Sequence, residues 1–204
     1  MDQPGDRDNP DSSPRRRTGG RSARVRQAIL AATLDQIADN GVEGLTITAV
    51  AARAAVAETT IYRRWGTRTA LIADAVTELA AEANPIPDTG TLHDDLHHLA
   101  AQISALITRP GISRLLGTAL ALSPDPEVSA ARDHFWTTRF TQSAAIVHRA
   151  IARGDLPPHT NPHDLIETLS APLYFRLLTG NQPLDPPFIA RCIAHTITLY
   201  ATPK

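Results

Sequence analysis

The 204-residue chain has 20 Lys+Arg against 21 Asp+Glu, a formal net charge of −1, and 42% hydrophobic residues. That balance excludes a uniformly basic protein, though charge can still be segregated along the chain. No apolar run approaches the ~18 residues that span a bilayer. The opening MDQPGDRDNPDSSPRRR lacks the apolar stretch of a signal peptide. A lone cysteine, Cys192, forbids an internal disulfide, fits a reducing cytoplasm, and reads as an inert buried thiol. Lys204 is the only lysine, which removes P-loop and Schiff-base chemistry. No GxGxxG, GxSxG, HExxH, CxxC or EF-hand pattern occurs. An aromatic content of 4% argues against a base-stacking single-strand binder.

Residues 1–22 mix Pro, Gly and Asp with Arg15, Arg16, Arg17 and Arg21 and have no hydrophobic period. They are expected to form a disordered basic arm, with the Arg run tracking phosphate or the minor groove. Helical spacing begins with Ile29, Leu30, Leu34 and Ile37, giving a helix over about 23–40 that stops at Asn40-Gly41. Its polar start carries Arg24. Thr46 caps a short helix with Ile47, Val50 and Ala51 inward. After Val56-Ala57 comes a second short helix over 58–65, stopped by Gly66, and Thr67 caps a longer one ending at Asn84-Pro85-Ile86-Pro87.

Further helices are predicted from Thr91 to a break at Arg109-Pro110-Gly111, over 112–122, over 127–153, from Pro162 to Thr179 and from Pro187 to about Tyr200. Pro172 should kink the penultimate one. Nothing alternates at period two, so the fold class is all-α with about nine helices and no internal repeat. The expected division is an arm over 1–22, a helix-turn-helix domain over 23–66, and a ligand-binding and dimerisation domain over 67–204.

Two short helices joined by a tight turn and preceded by a supporting helix make a helix-turn-helix. The second carries Thr59, Thr60, Tyr62, Arg63 and Arg64, which are hydrogen-bonding groups suited to a major groove about 12 Å wide. Ile61 and Trp65 anchor its other face. Thr46 and Thr67 sit at helix starts, where backbone N–H groups and a hydroxyl bind phosphate. Glu58 either accepts from a cytosine amino group or complements the helix dipole. Residues 15–68 hold ten arginines against four acids, a local +6 in a chain of −1, as phosphate binding requires.

The stretch 46–71, TITAVAARAAVAETTIYRRWGTRTAL, resembles the DNA-binding domain of the tetracycline-repressor (TetR) family of bacterial transcription regulators. The likeness spans about 23–75. It rests on the Thr cap, Val50-Ala51, the Ala55-Val56 turn, Tyr62, Trp65 and Thr67-Arg68. The stretch 171–185, APLYFRLLTGNQPLD, is similar to one TetR subgroup with a small-molecule-binding C-terminal domain. The resemblance implies a homodimer that binds a palindromic double-stranded DNA operator, usually represses, and is released by a ligand in its C-terminal core. It implies that Thr59, Thr60, Tyr62 and Arg63 face bases or backbone, and that Thr46, Tyr62, Thr67 and Arg68 face phosphates. Two positions depart from the pattern. Ala55 stands where the family often has glycine, and an alanine held at positive φ costs about 1 kcal/mol. Arg68 replaces the usual lysine, a change a phosphate contact survives.

The apolar residues Ile103, Leu106, Ile107, Leu116, Leu120, Trp136, Phe140 and Tyr174 exceed what a tight bundle needs, and suit a mostly hydrophobic small molecule. Leu165, Leu169, Leu173 and Leu177, with Ile189, Ile193, Ile197 and Tyr200, repeat every fourth residue and are expected to form a four-helix dimer interface. His93 and His97 share metal-ligand spacing, with His98 beside them, but no further ligand is near. His134, His148 and His195 read as surface or satisfied core. No metal, cofactor or catalytic set is expected. The rival classes are a helical enzyme, and a ligand-binding or scaffold protein without operator binding.

Overall fold

The structure, a computed structural model, describes residues 19–121, 125–180 and 182–201. Among them lie nine α-helices: α1 (Gly19–Gly44), α2 (Ile47–Arg53), α3 (Glu58–Trp65), α4 (Arg68–Ala83), α5 (Leu92–Ile107), α6 (Pro110–Ala121), α7 (Pro126–Arg153), α8 (Pro162–Thr179) and α9 (Pro186–Tyr200). No strand occurs among the described residues, so the all-α class holds. The Arg15–Arg17 run and Lys204 lie outside the described residues.

Local chemistry sets the starts. Thr46, Thr67 and Thr91 each accept a hydrogen bond from the backbone N–H three residues on, at 3.2, 3.1 and 3.1 Å. Three later helices open with an Asp or Asn cap followed by proline: Asp125-Pro126, Asn161-Pro162 and Asp185-Pro186. Proline fits there because the first-turn N–H has no partner to lose. Pro110 does the same for α6, so it opens a helix as well as closing α5. Pro172 lies within α8, which runs unbroken from Pro162 to Thr179. At the end of α1 the expected stop holds: Gly41 leaves the helix at φ 75, ψ 176.

Two apolar cores result. The first joins α1, α2 and α3 to the opening turns of α4 through Ile29, Ile37, Leu45, Val50, Ile61 and Leu71. The second joins α5, α7, α8 and α9 through Leu96, Leu99, Ile146, Leu165, Leu169 and Leu173. Between them Ala80 of α4, Leu106 of α5 and Ile112 of α6 form a small third cluster. Helix α4 thus belongs to both halves: Leu71, Ile72 and Ala75 pack with α1–α3, past the expected boundary at 66. Helix α6 also reaches the N-terminal half. A Cβ on Gly111 would stand 3.2 Å from the Cα of Ala38, so a larger residue there would push α6 from α1 by a few tenths of an ångström.

The stripe expected to pair two copies is instead core. Leu165, Leu169, Leu173, Ile189 and Ile193 are buried within one chain, and Leu177, Ile197 and Tyr200 pack against the same cluster. Helix α8 is covered by α5, α7 and α9 at once, so its i, i+4 leucines serve internal neighbours. The large apolar side chains left outside on these helices are Phe175, Leu178 and Leu199.

Ala55 takes φ 53. The N–H of Val56 donates to the carbonyl of Ala51 at 3.0 Å, which is the six-residue closure of a helix ending in a left-handed residue. The turn therefore keeps a glycine-type conformation with an alanine in it. An L-residue there costs about 1–2 kcal/mol, part of which glycine returns as unfolded-state entropy. Ala55 is exposed, so its methyl contributes little packing. Ala55→Gly should stabilise the protein by about 0.5 kcal/mol, read as a higher urea midpoint at unchanged slope. A lower midpoint would show that the turn is not strained.

Candidate nucleic-acid interface and ligand cavity

Helix α3 is held by one face and offers the other. Ile61 is buried, and the indole Nε1–H of Trp65 donates to Asp74 Oδ2 on α4 at 2.9 Å. Asp74 in turn meets Arg26 of α1 at 2.7 Å, and Arg26 reaches Glu78 at 3.0 Å. Those hydrogen bonds raise the Arg26 pKa, so its charge is permanent. On the outer face Thr59, Tyr62 and Arg63 are exposed, Tyr62 at 51%, and Thr60 is half-buried. Arg64 lies over the Trp65 ring at 5.6 Å and donates to Ser22 Oγ at 3.5 Å. Arg24 and Thr46 are exposed nearby.

The local charge is spent unevenly. Arg53 pairs with Asp39 at 2.9 Å and Asp35 at 3.8 Å, and Arg26 is matched as above. Among the described residues of the basic segment, the exposed cations besides Arg53 are Arg21, Arg24, Arg63, Arg64 and Arg68. Arg68 has a second task that its motif position does not reveal. Its Nη1 donates to the carbonyls of Val42 (3.2 Å) and Leu45 (3.1 Å), tying the start of α4 to the end of α1. Thr67, besides capping α4, donates its hydroxyl to Glu127 Oε1 at the start of α7. Thr118 of α6 donates to Glu43 Oε1 at 2.9 Å. The Glu43 carboxyl is held below its usual pKa by a bond from its own backbone N–H and then by Thr118.

Beneath this platform lies a cavity of about 170 Å³ between α4, α5, α6 and α7. Leu106, Ile107, Leu116, Trp136 and Tyr174 are among the residues that line it. A smaller space of about 30 Å³ adjoins the same Leu106, Trp136 and Tyr174 walls and takes in Ile103 and Phe140. The Leu120 side chain lies outside those the structure describes. Reading α4 as core packing conceals that Thr69, Ile72, Ala73, Val76 and Leu79 form a wall of the larger cavity, and that Val42 and Arg68 close its N-terminal end. The rings are mutually oriented: Trp136 meets Tyr174 edge-on at 5.1 Å and Phe140 at 5.9 Å. Burial pushes the Tyr174 phenol up to about 12, so it remains a neutral donor.

Other expectations find simple surroundings. Cys192 is buried, and desolvation pushes its thiol up, away from the reactive thiolate. His93, His97 and His98 are exposed, and no group of three or more metal-ligating side chains occurs among the described residues. No described helix is long and apolar enough to cross a membrane.

Comparison with known proteins agrees with this geometry. Residues 29–75 match the family "Bacterial regulatory proteins, tetR family", and residues 86–196 match "Tetracyclin repressor-like, C-terminal domain". The chain is 33% identical to the HTH-type transcriptional regulator AqdR of Rhodococcus erythropolis, over 73% of this chain and 72% of that one. It is 29% identical to the DNA-binding transcriptional repressor TetR of Mycobacteroides abscessus, over 86% and 93%. Among solved structures it superposes on the TetR family regulator SCO0332 with a TM-score of 0.76 at 25% identity, covering 85% of this chain and 97% of that one. The Flavonoid-responsive Regulator FrrA shares the fold, with a TM-score of 0.61 at 17% identity, covering 87% and 95%. The helix-turn-helix, the first half of α4 and most of the C-terminal helical core fall within the two family matches, and the chain belongs to the TetR family of helix-turn-helix transcriptional regulators.

Proposed function

We propose that this regulator is a repressor that binds a palindromic operator as a homodimer and leaves it when a small, largely apolar molecule enters the cavity. The observation that carries the reading is the double duty of α4. One helix supports α3 through Asp74 and Trp65 and forms a wall of the cavity. A molecule that shifts α4 therefore moves α3, and ligand and operator affinities are reciprocally coupled, typically by about 1–3 kcal/mol. In this reading Thr59, Thr60, Tyr62 and Arg63 meet bases or backbone, and Thr46, Thr67, Arg24 and Arg68, with Arg17 on the arm, meet phosphate. The work is regulatory rather than catalytic and is done in the cytoplasm. The Mycobacteroides abscessus relative, named a repressor, and the flavonoid-responsive fold neighbour support the two halves of the proposal. Footprinting on genomic fragments selected by the purified protein tests it. Two protected half-sites about 34–36 Å apart are expected, lost on adding a cavity-binding compound. Protection of random sequence, or an unchanged footprint with the cavity filled, overturns it.

The partner copy is placed on Phe175, Leu178 and Leu199, exposed at 69%, 50% and 68%. Exposed aromatic and aliphatic side chains on two adjacent helices suit a bundle with a second copy. Phe175→Glu with Leu199→Glu should give a folded monomer on size exclusion, whereas Leu173→Glu would put a charge into the chain's own core. An intact dimer in the double variant would move the interface elsewhere.

A further inference from the structure

Neither cavity has an Asp or Glu on its walls, while three arginines, Arg68, Arg132 and Arg139, line them. Arg132 is beside Asp133, at 3.3 Å, and Arg68 holds the end of α1. Arg139, on α7, differs. Its two hydrogen bonds, both at 2.9 Å, run to neutral oxygens: the Asn84 carbonyl at the end of α4 and Gln142 Oε1. No carboxylate lies within 4.0 Å of it among the described residues. Two other arginines that bridge helices are matched by carboxylates: Arg26 has Asp74 and Glu78, and Arg149 has Asp88 and Asp95. Burial lowers the Arg139 pKa, as expected of a guanidinium taken out of water without a counter-charge. Beside it lies the smaller cavity, with Tyr174, Ser143 and Ser170 around it and Trp136 and Phe140 as apolar walls.

We propose that the molecule this cavity receives has an apolar body ending in a single anionic oxygen group, and that Arg139 binds the anion. The proposal rests on reading the cavity as a ligand site. The physical reason is the cost of a half-buried charge with no carboxylate beside it, which a bound anion offsets. A guanidinium offers two parallel N–H donors to a carboxylate or sulfonate, and the fit is strongest where water is scarce. The Tyr174 hydroxyl adds a neutral donor. An apolar cation would meet the opposite: no carboxylate to receive it and an arginine to repel it. Arg139 also holds the Asn84 carbonyl just past α4, so an anion that draws the guanidinium away competes with that tie. Head-group recognition and release of α4 then share one side chain.

A matched pair of fluorescent probes tests this with the intact protein. Anilinonaphthalene sulfonate and phenylnaphthylamine share one apolar body and differ in the anion. Wild-type protein should bind the sulfonate at least about tenfold more tightly than the neutral probe. Arg139→Gln should remove that preference by weakening the sulfonate alone, and Arg139→Lys should restore part of it. Ala119→Trp, which fills the α6 wall, should block both probes. Equal binding of the two probes by wild type, or equal weakening of both by Arg139→Gln, overturns the anion assignment. If the neutral probe still binds and is blocked by Ala119→Trp, the cavity reading survives that failure. If neither probe binds, or Ala119→Trp blocks neither, both readings fall.

Discussion

Arg63→Ala and Tyr62→Ala should each cost the dimer most of its specific operator affinity while leaving the fold intact. The recognition face is built so that chemistry and stability separate. Ile61 and Trp65 anchor α3 inward, while Tyr62 and Arg63 project outward and Tyr62 is half exposed. Truncating them removes no core. A well-made side-chain contact to a base edge discriminates by about 1–3 kcal/mol, and a dimer loses two such contacts per substitution. The expected loss is therefore about 2–6 kcal/mol, or roughly 30-fold to more than 10⁴-fold. Titration of an operator duplex by fluorescence anisotropy at fixed salt reads this directly, and the urea midpoint is the control. Substitution of Arg24 should differ, weakening all duplexes alike and making the salt dependence shallower, because a phosphate contact acts by releasing counterions. Operator affinity unchanged in both α3 variants would show that α3 does not read the site.

The largest effect on stability is expected at the joint between α4 and α5. Asp95 is fully buried, and its Oδ1 accepts from the Thr89 N–H at 2.7 Å and the Thr89 hydroxyl at 2.8 Å. Its Oδ2 makes no hydrogen bond but faces Arg149 Nη2 at 3.7 Å. Arg149 also meets Asp88 at 3.2 Å and donates to the Pro87 carbonyl. The loop 84–91 is thus fastened to α5 and α7 by one carboxylate and one guanidinium. Removing one member of such a pair strands the other in low dielectric, at about 3–5 kcal/mol. Arg149→Met should lower unfolding free energy by about 3 kcal/mol, the lower end of the range because Arg149 is partly exposed. The double variant Asp95→Leu with Arg149→Met should recover part of the loss, since no unmatched charge remains. Urea denaturation followed by circular dichroism checks both. A loss below about 1 kcal/mol in Arg149→Met would mean that water screens the pair.

The sequence is most legible where one residue type has one physical use. Thr46, Thr67 and Thr91 are caps because a hydroxyl followed by helical spacing has few other tasks. The helix-turn-helix follows from two short helices and a turn, and Ala55 marks the strained residue because its neighbours define the turn. Legibility fails where a pattern has two explanations. The Leu165–Leu173 stripe shows that α8 buries a face, not whether the cover comes from the same chain or another. Three internal helices cover it, and the large apolar side chains left exposed on α8 are Phe175 and Leu178, off that stripe. The cavity was half legible, because excess apolar residues on α5–α8 signal space while the α4 wall looks like ordinary packing. Arg139 carries no local signal at all. What sets it apart is the absence of carboxylates from cavity walls drawn from several helices, which no linear window contains.

One consequence of the shared α4 concerns how such proteins diversify. A recombination that exchanged only residues up to 66 would part Leu71, Ile72 and Ala75 from the core they complete. A viable exchange of DNA-reading heads must carry α4 with it, to a junction in the loop before Leu92. That same transfer imports a cavity wall, residues 69–79, shaped in another protein. If the cavity is the ligand site proposed above, operator preference and ligand preference are inherited in linkage, and a lineage that changes one by domain exchange re-tunes the other by point substitution.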